Sequence, residues 1–422
     1  MTRWFSSPAL LLPLTLCGVA QVQADTLLPA AEERLDVIAL PGYMERGQSD
    51  PRYEWVTRFE RSTGCQVVTR TVDSPDAMLH AQRRGNVDVM VVSSETGQRF
   101  IQAGIVSPLN AAWLQAPQKN LHHYFTHHES VMREGTRYGL PLLWGINALL
   151  YNQKVFPTPP PSWSVLFDMQ NLPDGKTNAG RIQAYDSPIA MADAALYLMK
   201  TQPALGIQNP FELNAQQYTE VLILVLRQRR LLSRYWHDPT RQISDLRNKG
   251  TVATSGRLAT GQALRAEGRS FAITIPKEGA TAWLDSMMVH KRAKHLGCAY
   301  RWMAYATTPP VQAALSEWRG GNPVVPTACQ ASAPAGTDFC KQNGYTQLEK
   351  LYFWKLPQLH CKTQSRCVPY SVWMHDYMAI WLGQSANDTW NWVAYYENTG
   401  HAIDHYASWL TDFKNQHRIV YG

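Results

Sequence analysis

Apolar runs alternate with amphipathic stretches through the N-terminal half of the chain. The run at residues 35–40 predicts a first strand that ends at Pro41-Gly42. Residues 50–61 carry apolar side chains at helical spacing, which predicts a helix stopped by Thr63-Gly64. Further strands and helices are expected in turn at 66–72, 76–84, 87–92 and 98–104. This alternation favours an α/β fold with parallel sheets and helices on both faces.

A long apolar segment at residues 138–152 predicts a crossover strand into a second lobe. Helices are expected in that lobe at 190–199 and 216–228, and a strand around Trp283 carries the chain back. The sequence therefore predicts two parallel-sheet lobes that are joined by crossover strands. Such lobes close on a ligand by a hinge motion.

An aromatic residue and a carboxylate stand close together in the returning strand. Positions i and i+2 share a face of a strand, so Trp283 and Asp285 are expected to line one wall of a cleft. A wide ring beside an anion suits a small cation, although a tryptophan in a strand is often a core residue. Ligands of such sheets gather beyond the carboxyl ends of the strands, which here are residues 40–43 and 93–97.

The N-terminus has the three parts of a secretory signal peptide. Arg3 supplies the positive charge, residues 9–16 form a short apolar run, and Val22-Gln23-Ala24 precedes the expected cleavage site. The apolar run is too short to span a membrane. Cys17 does not indicate a lipoprotein, because the residue before it is a leucine. We expect a signal peptide at 1–24 and a mature protein in the periplasm.

Six cysteines remain after Cys17 is removed, and an even number suggests disulfides in an oxidising compartment. Two pairs close short loops, and the third pair follows by elimination. The expected disulfides are Cys329–Cys340, Cys361–Cys367 and Cys65–Cys298. A metal site is the alternative, but the chain has no CxxC spacing.

Charge and histidines limit the other partners. The net charge of +7 comes from scattered Lys and Arg residues without a basic arm, so we expect no nucleic-acid partner. His122-His123 and His127-His128 could bind zinc or nickel. Adjacent histidines point in different directions, however, and no nearby Cys or Asp pair completes a site. We expect no metal and no cofactor.

Several stretches are shared with a known family. The segment 275–286, which contains Trp283 and Asp285, closely resembles the same segment of bacterial spermidine/putrescine-binding proteins of ABC transporters. The resemblance runs from Leu35 to Gln384 and is closest to the YdcS-type branch. Further shared stretches are residues 41–47, 172–178, 192–196, 234–238, 369–370 and 376–377. The resemblance implies a type II periplasmic-binding-protein fold. It also implies that the partner is a membrane permease with a cytoplasmic ATPase.

The resemblance also implies which residues touch the solute. Trp283 and Tyr43 would form apolar walls, and the carboxylates of Asp285, Asp186 and Glu95 would hold amines. Ser93 and Asn147 would add hydrogen bonds, and Trp144 keeps the aromatic of the crossover segment. From these contacts we expect a small polyamine-like solute, cationic or zwitterionic. Binding and closure involve no catalysis.

Four cleft positions depart from the family pattern. Leu40, Ala190 and Ala259 stand where relatives carry larger or charged groups, and Arg257 stands in place of a tryptophan. These changes are expected to widen the cleft and to place a cation in it. Because a guanidinium favours carboxylates, an anionic or amino-acid-like solute bound by Arg257 is the alternative. Arg257 could instead pair with a pocket acid or face solvent.

An exported enzyme of the polyhydroxybutyrate synthase type is the alternative outside binding proteins. Such synthases use a cysteine nucleophile in a Gly-x-Cys-x-Gly elbow. Neither Cys65 nor Cys298 lies in such an elbow, and all six mature cysteines are expected to be paired, which leaves no thiolate. We therefore expect a protein that is not an enzyme.

The expected organisation follows from these elements. Lobe 1 is formed by residues 25–143 and 283–325, and lobe 2 by residues 144–282. Residues 326–384 form a C-terminal segment with disulfide loops that pack on the lobes. Residues 385–422 extend beyond the usual end of the family, and their apolar spacing predicts a short amphipathic helix on the protein's own surface. We expect a monomer; the sequence does not name the solute or the permease.

Overall fold

The computed structural model describes residues 28–353 apart from 73–74, 186–189, 237–238, 332–339 and 342–343. The signal peptide 1–24, the extension 385–422 and most of the segment 326–384 lie outside the described residues. The same holds for two specific predictions, the ligand carboxylate Asp186 and the disulfide Cys361–Cys367.

Strands and helices alternate along the described chain. The strands are β1 Arg34–Ala39, β2 Gln66–Thr71, β3 Val89–Ser93, β4 Met132–Arg133, β5 Thr136–Arg137, β6 Gly139–Ile146, β7 Ala148–Asn152, β8 Ile182–Tyr185, β9 Leu232–Trp236, β10 Ala253–Gly256, β11 Phe271–Thr274, β12 Ala280–Val289, β13 Asn322–Pro323 and β14 Leu351–Phe353. The helices are α1 Trp55–Thr63, α2 Pro75–Ala81, α3 Ser94–Gln102, α4 Gln115–Asn120, α5 His123–Thr126, α6 Ser164–Phe167, α7 Met191–Thr201, α8 Ala215–Leu231, α9 Pro239–Asn248, α10 Leu258–Ala266, α11 Leu296–Ala306, α12 Pro309–Arg319 and α13 Ala328–Ala331. Each strand and helix predicted above for residues 35–228 overlaps an observed element.

The larger sheet has the strand order β13-β6-β12-β3-β1-β2, with β14 paired to β12. Strands β2, β1 and β3 run parallel, as the alternation of strands and helices predicts. Strand β12 runs antiparallel to both β3 and β6. The chain leaves this sheet through β6 and returns through β12, so these two neighbours run in opposite directions.

The smaller sheet has the order β11-β7-β10-β8-β9. Strands β10, β8 and β9 are parallel, whereas β7 pairs antiparallel with β10 and β11. The predicted crossover segment 138–152 is thus two strands, β6 in one sheet and β7 in the other, with Asn147 between them. The second connection between the sheets runs through residues 275–279, between β11 and β12.

Local sequence explains where the helices begin and end. Helix α1 begins later than the pattern predicts, because residues 50–53 form a turn closed by the N–H of Tyr53 on the carbonyl of Asp50. It ends at Gly64, whose φ of 76° is the left-handed conformation that glycine adopts at low cost. Helix α8 begins with a capping box formed by Asn214 and Gln217.

Two of the predicted disulfides are confirmed. Cys65–Cys298 joins the end of α1 to α11, across 233 positions of sequence. Beside it the rings of Phe59 and Trp302 pack edge to face, with centroids 5.0 Å apart. Cys329–Cys340 closes a short loop. The first disulfide therefore ties the N-terminal strands to helix α11, which follows the returning strand β12.

Candidate functional site

The turn after β1 brings Tyr43 against the returning strand. Tyr43 is 2% exposed, and its hydroxyl donates a hydrogen bond to Oδ2 of Asp285 on β12. The indole N–H of Trp55 holds this turn by donating to the carbonyl of Tyr43 at 3.0 Å. Two of the predicted ligand contacts are thus in direct contact with each other.

The end of β3 contributes Ser93 and Glu95 at the same edge. Ser93 lies directly opposite Asp285 in the pairing of β3 with β12. Its Oγ accepts the backbone N–H of Thr96 at 3.4 Å and so caps helix α3. Glu95, in the first turn of α3, lies with a carboxylate oxygen 3.9 Å from a guanidinium nitrogen of Arg99. The carboxyl ends of β1 and β3 therefore converge on Asp285.

Trp283 lies on β12 opposite Gly145 of β6. A Cβ atom at Gly145 would come within 3.0 Å of three atoms of the indole, so the ring lies directly against the glycine. Arg257, at the N-cap of α10, reaches this ring from the second sheet. Its Cζ lies 5.9 Å from the ring centroid of Trp283 and 5.9 Å from that of Tyr185. Arg257 therefore lies between two aromatic rings, at the junction of the sheets.

Arg319 is a site residue that the sequence patterns do not reveal. It ends α12, and an arginine in a last turn ordinarily interacts with the helix dipole. Its Cζ lies 4.6 Å from the ring centroid of Tyr43. Gly42, at a φ of 81°, makes this approach possible, because a Cβ there would lie 2.7 Å from Cδ of Arg319. Tyr185 and Asp193 are the other residues that sequence reasoning misses.

Burial and neighbouring cations act in opposite directions on the central acid. Burial raises the pKa of the Asp285 carboxyl, and the hydrogen bond from Tyr43 and the charges of Arg319 and Arg257 offset only part of that rise. Burial also raises the pKa of Tyr43 well above its ordinary value, and Asp285 adds to this. For Arg319, burial works against the charge, but Tyr43 and Asp285 outweigh it and the pKa is raised.

Asn147 belongs to a hydrogen-bonded chain at the connection between the sheets. Its Nδ2 donates to Oγ1 of Thr281 at 2.6 Å, and its backbone N–H donates to the Thr281 carbonyl at 2.9 Å. The Thr281 hydroxyl in turn donates to Oδ1 of Asp193 on α7 at 2.5 Å. Burial raises the pKa of Asp193 to about 7, and the Thr281 hydrogen bond lowers it only in part. The predicted ligand contact Asn147 thus ties the first connection to the start of β12, directly after the second connection.

Trp144, which is predicted to touch the solute, lies in the hydrophobic core. Trp144 is fully buried and pairs across the sheet with Leu284, not with Trp283. Its ring packs with Phe125 and Phe353, and its N–H donates to the carbonyl of Pro323 at 3.0 Å. Since successive side chains of β6 alternate between faces, Trp144 points away from the face that carries Gly145. It is a core residue.

The cleft positions that depart from the family pattern do not all open space. Leu40 packs, partly buried, against the main hydrophobic core. Ala190 lines a small cavity together with Tyr185 and Asp193. The cleft is not widened at Ala259, because Gly320, directly after α12, packs against it. The two residues are so close that a Cβ atom on Gly320 would come within 3.0 Å of Ala259.

The histidines and acids that could suggest a metal site have structural partners. Nδ1 of His122 accepts the N–H of Tyr124, and Nδ1 of His128 accepts that of Ser130, so both rings cap short helical turns. Within the described ranges, the group with ligand atoms close enough to share an ion is Asp36, Asp88 and His295. Arg34 forms two hydrogen bonds to Asp36. Asp88 accepts N–H groups of Asp36, Lys294 and His295, so the cluster holds β1 to the start of α11.

The family that this chain matches, two similar relatives and a similar solved structure are all solute-binding proteins. The family described as "Bacterial extracellular solute-binding protein" matches residues 54–340. A putrescine/agmatine-binding protein of Pseudomonas aeruginosa PAO1 is 27% identical over 307 residues, which cover 69% of this chain and 79% of that protein. The putrescine-binding periplasmic protein PotF of Escherichia coli K12 is 27% identical over 278 residues, 62% of this chain and 72% of PotF.

The solved structures share the fold. The spermidine/putrescine ABC transporter substrate-binding protein PotD of Streptococcus pneumoniae superposes with a TM-score of 0.65 at 16% identity, covering 82% of this chain and 99% of PotD. The architecture is therefore the two-lobed fold of periplasmic binding proteins, as the sequence predicts. In the part of the chain that the structure describes, none of the helices has the length and apolar character needed to span a bilayer.

Proposed function

Because the chain belongs to the bacterial extracellular solute-binding protein family, we propose that it captures a small amine-bearing solute between its two lobes for an ABC importer. The named relatives bind putrescine, agmatine or related amines. In this proposal the solute is polyamine-like in its alkyl chain and carries at least one ammonium group. The lobes are proposed to follow the predicted boundaries, with 25–143 and 283–325 in one and 144–282 in the other.

The observation that carries the proposal is the buried carboxylate of Asp285 between two aromatic side chains. Tyr43 uses Oδ2 of this carboxylate and leaves Oδ1 for an ammonium donor. The indole of Trp283, two positions away on the same strand, supplies an apolar wall for an alkyl chain and a π face for a cation. Ser93, Glu95, Asn147 and the predicted Asp186 are proposed as additional polar contacts.

Closure of the lobes would retain the solute. One connection contains Asn147, and its hydrogen bonds to Thr281 at the start of β12 hold it next to the other connection, residues 275–279, so this pair is the proposed hinge. Arg257 on α10 reaches Trp283 from the second sheet, so the cleft is bounded by both lobes. A solute that contacts both sides stabilises the closed state relative to the open one.

A binding screen of the mature chain, beginning at Asp25, tests the proposal. A panel of diamines, agmatine, spermidine and ω-amino acids is measured by thermal shift and then by calorimetry. A ligand at about a hundred times its Kd adds about 2.7 kcal/mol of stability, which is readily seen as a higher Tm. The response should disappear in Asp285→Asn, and it should persist in the control Asp174→Asn, whose carboxylate pairs with Arg181. Binding that survives Asp285→Asn would contradict the proposal.

The proposed partners are the membrane permease and cytoplasmic ATPase of the importer, with the protein acting as a periplasmic monomer. Light scattering of the purified protein tests the monomer. Sequencing of the N-terminus from a periplasmic fraction tests signal cleavage, which should leave Asp25 first.

An exported synthase has less support than binding. The family is one of solute-binding proteins, and the four cysteines of the described part of the chain form two disulfides. A cysteine nucleophile would require a thiol outside these pairs, which titration of free thiols in the mature protein would detect.

A further inference from the structure

We propose that the solute carries a carboxylate as well as an amine, and that Arg319 and Arg257 bind this carboxylate while Asp285 binds the amine. This inference rests on the proposed solute-binding function and narrows its ligand class from amines in general to amino-carboxylates. It assigns Arg319, which sequence patterns do not single out, as a residue that determines specificity.

The first support is the charge of the cleft. Two guanidinium groups act on one central carboxylate: Arg319 lies against Tyr43, and Arg257 lies over Trp283. Both are close enough to Asp285 to lower its pKa. A solute with ammonium groups at both ends would place one of them beside a guanidinium, and such like-charge contacts cost several kcal/mol.

The second support is that neither arginine has a carboxylate partner among the described residues. Among the residues that the structure describes, no carboxylate oxygen lies within 4.0 Å of either guanidinium. Arginines elsewhere in the fold do have such partners, for example Arg46 with Glu60 at 2.7 Å and Arg58 with Glu54 at 3.0 Å. Guanidinium groups held in a cleft without a protein carboxylate suit an anionic group of a ligand, because their planar donors match a carboxylate.

The third support is a surplus of buried donors at this site. The Nε of Arg319 and the indole nitrogen of Trp283 are both buried and have no hydrogen-bond acceptor among the described atoms. An unsatisfied buried donor costs about 1–3 kcal/mol. A carboxylate brings acceptor lone pairs and no donors, whereas an ammonium group brings only further donors.

Asp285 keeps a role for the amine. Tyr43 occupies one of its two oxygens, and Ser93 lies opposite it on β3. A solute with two carboxylates would leave this buried acid facing a like charge. An amino-carboxylate supplies an ammonium group for Asp285 and a carboxylate for the two arginines.

The test uses calorimetry on the mature protein with three compound series of matched length, from propane to hexane backbones: diamines, ω-amino acids and dicarboxylates. The best ω-amino acid should bind at least about tenfold more tightly than the diamine and the dicarboxylate of the same length, because it alone makes charged hydrogen bonds to both Asp285 and the arginines. Arg319→Gln should lower the affinity for the ω-amino acid at least about tenfold and so remove this preference. Arg257→Gln is the second variant, because Arg319 packs against the buried Tyr43 and its loss could affect folding.

The control is Arg58→Gln, an exposed ion-paired arginine outside the cleft, which should leave the preference unchanged. A wild-type protein that prefers the diamine would overturn the inference and leave the proposed amine binding intact. A preference for the ω-amino acid that persists in both cleft variants would also overturn it. Binding of none of the three series would remove both the inference and the proposed function.

Discussion

Trp283 on β12 and Gly145 on β6 face each other across the sheet with no room for a side chain at the glycine. A Cβ at position 145 would come within 3.0 Å of three indole atoms. The glycine is therefore required for the position of the ring, not for an unusual backbone conformation. The indole position in turn determines where Arg257 can lie.

Gly145→Ala should displace the indole of Trp283. We expect the affinity for the solute to fall about tenfold, which is roughly 1.4 kcal/mol, and stability to fall by about 1–3 kcal/mol. Calorimetry and urea unfolding measure the two effects. The matched control is Gly261→Ala in α10, where the nearest heavy atoms are side-chain carbons at 3.2 Å and 3.3 Å. Unchanged affinity in Gly145→Ala would show that the ring does not contact the solute.

Tyr43→Phe should weaken both folding and binding, because it removes the hydroxyl that hydrogen-bonds the buried Asp285 carboxylate. We expect a loss of about 1–3 kcal/mol in the free energy of unfolding. The pKa of Asp285 should rise further, since the Tyr43 hydrogen bond holds it down. The loss should therefore be larger at a pH above the raised pKa of Asp285, where the carboxylate is ionised, than at a pH below it, where the acid is protonated in both variants.

A second tyrosine–aspartate pair provides the control for this prediction. Tyr197 on α7 donates its hydroxyl to Oδ2 of Asp168, away from Asp285. Tyr197→Phe should lower stability and leave solute affinity unchanged. If both variants change affinity to the same extent, the effect of Tyr43→Phe is a general loss of stability and not a property of the site.

Asp193 should make the protein less stable as the pH rises. Its pKa is raised by burial to about 7, from an ordinary value of 3.8. Between these values the folded protein holds a proton that the unfolded chain has lost, so the free energy of unfolding falls with rising pH. The pKa difference of about three corresponds to at most about 4 kcal/mol in the free energy of unfolding, since one pKa unit is about 1.36 kcal/mol.

Asp193→Asn should remove this dependence and raise stability at pH 8. Urea unfolding at several pH values between 4 and 8 measures it. The control is Asp174→Asn: hydrogen bonding to Arg181 lowers the pKa of Asp174 below its ordinary value of 3.8, so its pH dependence lies below the measured range and this variant should keep the wild-type slope between pH 4 and 8. A pH profile of Asp193→Asn that is parallel to that of the wild type would contradict the prediction.

The two disulfides should differ in their contribution to stability. Their sequence separations are 233 and 11 residues, and the loop-entropy relation gives about 5 kcal/mol for the longer and about 3 kcal/mol for the shorter. Urea unfolding of Cys65→Ala/Cys298→Ala and of Cys329→Ala/Cys340→Ala compares them. Equal losses, or a larger loss for the short loop, would argue against an effect of loop closure.

Much of the fold follows from local patterns. The alternation of apolar runs and amphipathic stretches predicts the strands and helices of the N-terminal part of the larger sheet, because each pattern fixes its own element without reference to the rest of the chain. Strands β8 to β11 of the smaller sheet are not predicted from the sequence. Cysteine spacing predicts two disulfides that the structure confirms. The residues after β1 and β3 come together at Asp285, as expected from the position of strand ends in a parallel sheet.

The direction in which Trp144 points does not follow from the sequence. All eight residues of β6 are buried, so the strand has no alternation of apolar and polar positions to show which face meets the cleft. The sequence shows that Trp144 lies in a buried strand, and only the packing on the other face of the sheet decides that it points into the core.

The sequence by itself determined the fold class, the strand that carries Trp283 and Asp285, and the pairing of the described cysteines. Only the tertiary structure decided that Arg319 reaches Tyr43, that Gly320 fills the space beside Ala259, and that Asp193 is buried at the connection between the sheets. Periodicity and spacing report interactions between near neighbours in the chain. These three contacts join segments that are far apart in sequence, so their geometry exists only once both sheets have formed.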